Sequence, residues 1–129
     1  MNRQIAPSSI APPAANYALA VHSENVTAWL HTSGIVGARP DGSVPTDIGE
    51  QADVVWSNLR ALLAEVDMVP GDVVSIITYV VIDQFAALPQ VMAARDRALE
   101  GHRVASTLVT VPALARPEWK VEIAVVAAR

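Results

Sequence analysis

Glu122 is a carboxylate set where a carboxylate is costly, inside the C-terminal run WKVEIAVV from Trp119 to Val126. Under period-2 alternation Trp119, Val121, Ile123 and Val125 share one strand face, and Lys120, Glu122 and Ala124 share the other. A lone charge among valines and alanines needs a cation, hydrogen-bond donors or a water-filled cleft beside it. Glu122 therefore either pairs structurally, with Lys120 or a neighbouring subunit, or holds a water in a pocket. His31 is the second candidate. It precedes Ser33 by two residues, which predicts that both lie on one strand face and sets a proton donor near neutral pH beside a hydroxyl. The plain alternative for His31 is a solvent-facing or interface side chain. His22 and His102 are expected in loops, and the three histidines lack metal-ligand spacing, so no metal is expected. No Ser-His-Asp order, phosphate-cradling glycine loop or Walker motif is present.

The elements that must position these groups are legible in the pattern. Residues 1–15 carry Pro7, Pro12 and Pro13 among small residues and predict an extended N-terminal arm. Tyr17–Val21 and Thr27–Thr32 are short strand candidates, closed by Ser33-Gly34, and a turn-rich loop follows over Gly37–Asp47. Thr46 or Asp47 caps a helix over about 47–66, whose apolar stripe runs through Ile48, Ala52, Val55, Leu59 and Val66. Val73–Ile82 is nearly all apolar and β-branched, as expected of a central strand. A second helix is expected from about Gln84 to Leu99, with Pro89 in its first turns and Gly101 as its stop. Ala105–Val111 and Trp119–Ala127 complete an order ββαβαββ. This is an α+β layer, one mixed sheet with two helices on one face. Two helices leave the other sheet face uncovered, and its apolar residues predict burial against further subunits.

The whole chain, residues 1–129, reads as a single domain. Its 52% hydrophobic and 17% charged content excludes a disordered chain. A formal charge of −4 argues against nucleic acid as a partner, since phosphate binding needs a basic footprint. The absence of cysteine excludes disulfides and thiolate metal sites. The N-terminal MNRQIAPSSIAPPAA has neither the continuous apolar stretch of a signal peptide nor a membrane span, so a cytoplasmic protein without membrane contact is the default expectation.

Seven fragments in order resemble the Rid family (RidA, YjgF or L-PSP-like). They are Tyr17 with Ala18–Val21, Thr32-Ser33-Gly34, Val44-Pro45, Gln51, Asn58-Leu59, Pro70-Gly71-Asp72-Val73-Val74 and Lys120-Val121-Glu122-Ile123. The resemblance implies a chorismate-mutase-like fold, a homotrimer with its sheets around a central barrel, and small-molecule clefts between subunits. It implies hydrolysis of reactive 2-imino or enamino acids to 2-keto acids and ammonia, with no cofactor. Carried over by position, Glu122 is the water-holding catalytic glutamate, while Tyr17 and the Ser33-Gly34 turn shape the substrate pocket.

The chain departs from the family at the arginine that clamps the substrate carboxylate. Val104-Ala105-Ser106-Thr107 stands where the family has a Pro-Ala-Arg-Ser-like segment, so the clamp position is Ser106. A serine hydroxyl gives a hydrogen bond and no charge. Arg103, three residues earlier in an extended strand, is expected on the opposite face from Ser106, and Arg116 lies on the loop before the last strand. Two functions follow: a Rid-like hydrolase of imines, enamines or related compounds in an intersubunit cleft, or a trimer that binds a small metabolite with the 2-imino acid deaminase activity lost. A ribonuclease, a label this family also carries, fits the acidic composition least.

Overall fold

Gln51 shows how this sequence locks its layers together. The computed structural model describes residues 1–129. Helix α1 spans Ile48–Glu65 and is capped by Asp47, whose side chain accepts from Glu50 N at 3.0 Å. Its buried stripe runs Ile48, Gln51, Ala52, Val55, Trp56, Leu59 and Leu63. Gln51 is fully buried within it and satisfies every polar atom of its amide. Nε2 donates to Pro45 O at 2.7 Å and to Glu118 O at 2.8 Å, and Oε1 accepts from Lys120 N at 2.9 Å. The amide thus pins the loop that leads into the last strand, two residues before Glu122.

The strands are β1 (Asn2–Ile5), β2 (Ala20–Ser23), β3 (Trp29–His31), β4 (Ile35–Val36), β5 (Val73–Val81), β6 (Ala105–Val111) and β7 (Val121–Ala128). The main sheet runs β3-β7-β5-β6, with β4 also paired to β7, and is mixed: β5 and β6 are parallel while the β7 pairings are antiparallel. A 3₁₀ segment over Ile82–Ala87 leads to α2 (Leu88–Ala98), the second helix. The α+β layer with two helices is as expected, but the order ββαβαββ undercounts the strands. Asn2–Ile5 of the proline-rich arm pairs antiparallel with β2, and the strand expected at Tyr17–Val21 begins at Ala20. α2 starts later than expected because Pro89 lacks an N–H and is tolerated only in a helix's first turn.

The sheet has two unlike faces. Ile76 and Val80 of β5 with Val121, Ile123 and Val125 of β7 form the core against both helices. Ile77, Tyr79 and Val81 alternate to the other face, and Ile77 and Val109 remain 39% exposed there. No helix is long and apolar enough to cross a membrane.

Candidate functional site

Glu122 lies on the open face of β7, half-buried, with Val36 of β4 directly beside it on one flank and Tyr79 of β5 on the other. No hydrogen bond or ion pair engages its carboxylate within the chain. Lys120, the structural partner considered above, turns away and donates Nζ to Thr46 O. The carboxylate packs instead on Gly34: a Cβ there would meet Glu122 Oε2 at 2.6 Å and Cγ at 2.8 Å. Only a glycine admits this approach.

Residues 32–34 owe their shape to a β-bulge. His31 pairs with Val126 and Ile35 with Ile123, so four steps along one strand face three along the other. Thr32 cements the irregularity, its hydroxyl accepting from Val125 N at 3.0 Å and donating to Ser33 O at 2.8 Å. The extra residue lies between His31 and Ile35. Strict alternation would put His31 and Ile35 on one face, yet Leu30 and Ile35 face the core and His31 faces the open side. The alternation is broken after Thr32, whose N still donates to Val125 O at 3.0 Å. Pairing with Val126 also puts His31 four residues along β7 from Glu122, about 13 Å at the usual strand rise. His31 stacks on exposed Trp29, ring centroids 6.0 Å apart.

Tyr17 and Ser106 belong to the opposite edge of the sheet. Ala18 N donates to Val104 O at 2.9 Å, and Ala18 bridges Ala105 in parallel, so the Tyr17 segment runs along the outside of β6. The Tyr17 hydroxyl accepts from Ala14 N at 3.3 Å and keeps its own proton to donate. Ser106 pairs with Ile76, a 1% exposed core residue, and therefore points to the helix side of β6. Glu122 points to the other side, with the whole of β5 between them, about 9.6 Å of strand spacing. One chain does not bring Ser106 and Glu122 together. It presents two half-sites: Glu122, Gly34 and Ser33 on the β4–β7 side, and Tyr17 and Ser106 on the β6 edge.

Two placements correct or extend the sequence reading. Arg103 precedes β6, which begins at Ala105 as expected, and its Nε donates to Asn16 Oδ1 at 2.7 Å. Tyr79 was missed. Its signal was present as the one aromatic with a polar tip inside VVSIITYVV, at the parity of the open face. Arg116 lies over the Trp119 ring at 5.4 Å and faces Glu118 at 4.0 Å. No three His, Asp or Glu side chains gather as a metal site would need.

Comparison with known proteins fits this architecture. The family model described as Endoribonuclease L-PSP matches residues 8–129. The Yersinia pestis protein YyfB, of the conserved Rid protein family and of unknown function, is 30% identical with a TM-score of 0.89, covering 99% of this chain and 98% of that one. The fold also matches Rv2704 of Mycobacterium tuberculosis, of the YjgF/YER057c/UK114 family (21% identity, TM-score 0.69, all of both chains). It matches Escherichia coli TdcF with bound serine (23% identity, TM-score 0.70, 96% of this chain and 93% of that one). No curated protein matches the chain. By a family model matched over nearly its full length and a Rid protein superposing along the whole fold, the chain belongs to the endoribonuclease L-PSP family, that of the Rid and YjgF proteins.

Proposed function

We propose that this protein is a Rid-type hydrolase of small reactive imines or enamines, working in a cleft completed by a neighbouring subunit. The observation that carries the reading is the half-buried carboxylate of Glu122, without a cation, resting on a glycine that leaves it room. Glu122 positions a water against the electrophilic imine carbon and takes its proton as the C–O bond forms. The proton passes to the imine nitrogen to give a carbinolamine; the remaining hydroxyl proton then follows through Glu122 to the amine nitrogen, the C–N bond breaks as the C=O forms, and a 2-keto acid and ammonia leave. No cofactor is needed for this sequence of steps. Tyr17, Ser33 and Ser106 orient the substrate.

The intersubunit cleft is supported by the division into two half-sites and by the open sheet face, where Ile77, Val109 and Trp29 are exposed. A homotrimer satisfies both. The serine held by TdcF supports a small amino-acid-like ligand. RNA cleavage, which the family's description names, is disfavoured by the net charge of −4.

One observation favours a second reading. Ser106 brings no charge and points to the helix side, which suits a trimer that binds a small metabolite without deaminating 2-imino acids. Hydrolysis of freshly generated 2-iminopropionate separates the two. Wild-type turnover that is lost in Glu122→Ala supports the hydrolase. An inert wild type beside an active Ser106→Arg variant supports the retuned binder.

A further inference from the structure

The seam between α1 and α2 lies across the sheet from Glu122 and carries groups that the hydrolysis does not use. On α1, Asp53, Trp56, Ser57 and Arg60 follow the i, i+3, i+4, i+7 spacing that sets them on one helix face. Ala94, Arg97 and Ala98 of α2 line the other wall. Two alanines are too short to fill the space beside an indole, and an open groove of about 420 Å³ remains.

Two ion pairs join the walls. Arg97 Nη2 meets Asp53 Oδ1 at 2.8 Å, and Arg60 Nη2 lies 3.5 Å from Oε1 of Glu100, just past the end of α2. Both pairs are well exposed to solvent, so each guanidinium can exchange its acid for another anion at little cost. Trp56 is 3% exposed, and its indole Nε1–H is buried with no acceptor. Such a donor is costly to leave unmade, and folded proteins satisfy nearly all of them. Trp56, Ser57, Arg60 and Arg97 are all donors, set against Asp53 as the one carboxylate of the lining.

A donor-rich groove suits an anion with several acceptor oxygens. Donors that arrive from two helices match the tetrahedral phosphoryl group, whose three oxygens diverge, better than a planar carboxylate. We infer that the α1–α2 seam is a second ligand site for a small phosphate monoester. Arg60, Arg97 and the Trp56 N–H hold the phosphoryl group, and the alanine methyls carry an apolar body. The site is separate from the Glu122 cleft and stands whether or not the hydrolase reading does.

The test is an NMR titration with phenyl phosphate, inorganic phosphate and benzoate. The Trp56 indole N–H resonance, assigned by its absence in Trp56→Phe, is expected to shift with phenyl phosphate. Arg60→Gln and Arg97→Gln should each weaken phenyl phosphate about 10-fold, since each removes a charge-assisted contact. Asp53→Asn breaks the same ion pair as Arg97→Gln but frees the guanidinium, so it is expected to tighten binding. Weakening in Asp53→Asn would make the pair merely structural and overturn the site. Glu122→Ala is expected to bind as wild type does, and loss of binding there would move the ligand to the sheet-face cleft. An unmoved Trp56 resonance at millimolar phenyl phosphate overturns the inference. Benzoate binding as tightly as phenyl phosphate overturns the phosphoryl class.

Discussion

Gly34 and Glu122 are in direct contact, so close that a methyl group on residue 34 would fall 2.6 Å from Glu122 Oε2. The contact crosses from the bulge to β7, and it sets the rotamer of the carboxylate from below. Gly34→Ala must therefore turn Glu122 away, since Cδ and Cγ at 2.7 and 2.8 Å are crowded along with the tip. The side chain is half-buried and has solvent to move into. The expected stability loss is small, about 1 kcal/mol, at the low end for an overpacked site. Hydrolysis of 2-iminopropionate should fall nearly as far as in Glu122→Ala. Melting temperature and turnover measured on the same preparations check this, and full turnover in Gly34→Ala would detach Glu122's orientation from the glycine.

Gln51 makes the opposite prediction, a large stability effect from outside the site. Its amide is the sole side-chain partner of Pro45 O, Glu118 O and Lys120 N. Gln51→Glu removes the donor that serves two carbonyls and sets a buried anion against them. Unfolding in urea should show a loss of about 3 kcal/mol or more at neutral pH, from the unpaired groups and the buried charge. A change below 1 kcal/mol would mean that water replaces the amide.

Much of this was legible from sequence, and the misses share one cause. α1 falls within a residue of its expected span because its stripe and Asp47 cap are local signals. β6 matches Ala105–Val111 as read. β1 was hidden because its partner, β2, lies some eighteen residues on across a proline-rich arm. The bulge at Thr32–Gly34 was equally invisible, since it exists only in register against β7, and it moved Ile35 off the face that alternation from His31 would give it. Arg103 precedes β6, so alternation along the strand does not decide its direction. Glu122 stood out because a charge in an apolar alternation is a local anomaly. Its distance from Ser106 is a property of strand order, which no local pattern carries.

The open sheet face predicts assembly through Ile77 and Val109. These alternate away from the core and leave apolar surface on adjacent, parallel strands. Wild type is expected to run as a trimer in light scattering at micromolar concentration. Ile77→Asp combined with Val109→Asp should run at the mass of one chain with an unchanged far-UV spectrum, because charges buried in an interface core go unpaired. A monomeric wild type would remove the intersubunit cleft.

Asp41 gives a pH-dependent prediction away from the site. The Ser43 hydroxyl and backbone N–H donate to its Oδ1 at 2.7 and 2.9 Å, and these bonds hold the carboxyl below its ordinary value of 3.8. A depressed folded value means that the turn's contribution is present above the unfolded value and is lost as pH falls through the folded one. Carbon-detected NMR titration of Asp41 should show the midpoint move up toward 3.8 in Ser43→Ala. An unmoved midpoint would assign the shift elsewhere.

The two half-sites permit a test that needs no knowledge of the natural substrate's identity. If one cleft takes Glu122 from one chain and the β6 edge from its neighbour, defects on different halves complement each other. Glu122→Ala chains and Tyr17→Ala chains, each expected to lose most turnover in its own trimer, are mixed at equal amounts, unfolded and reassembled. In a closed ring with head-to-tail interfaces, a cleft is intact when a chain with Glu122 precedes a chain with Tyr17, which random mixing gives in about one quarter of clefts. Turnover of 2-iminopropionate should then recover to about a quarter of wild type. Mixed Glu122→Ala and Gly34→Ala chains should recover nothing beyond their own residual rates, since both defects lie on the same half. Recovery in neither mixture would place both halves within one chain. That outcome contradicts the separation by β5, and a rearranged sheet edge would have to replace the intersubunit cleft.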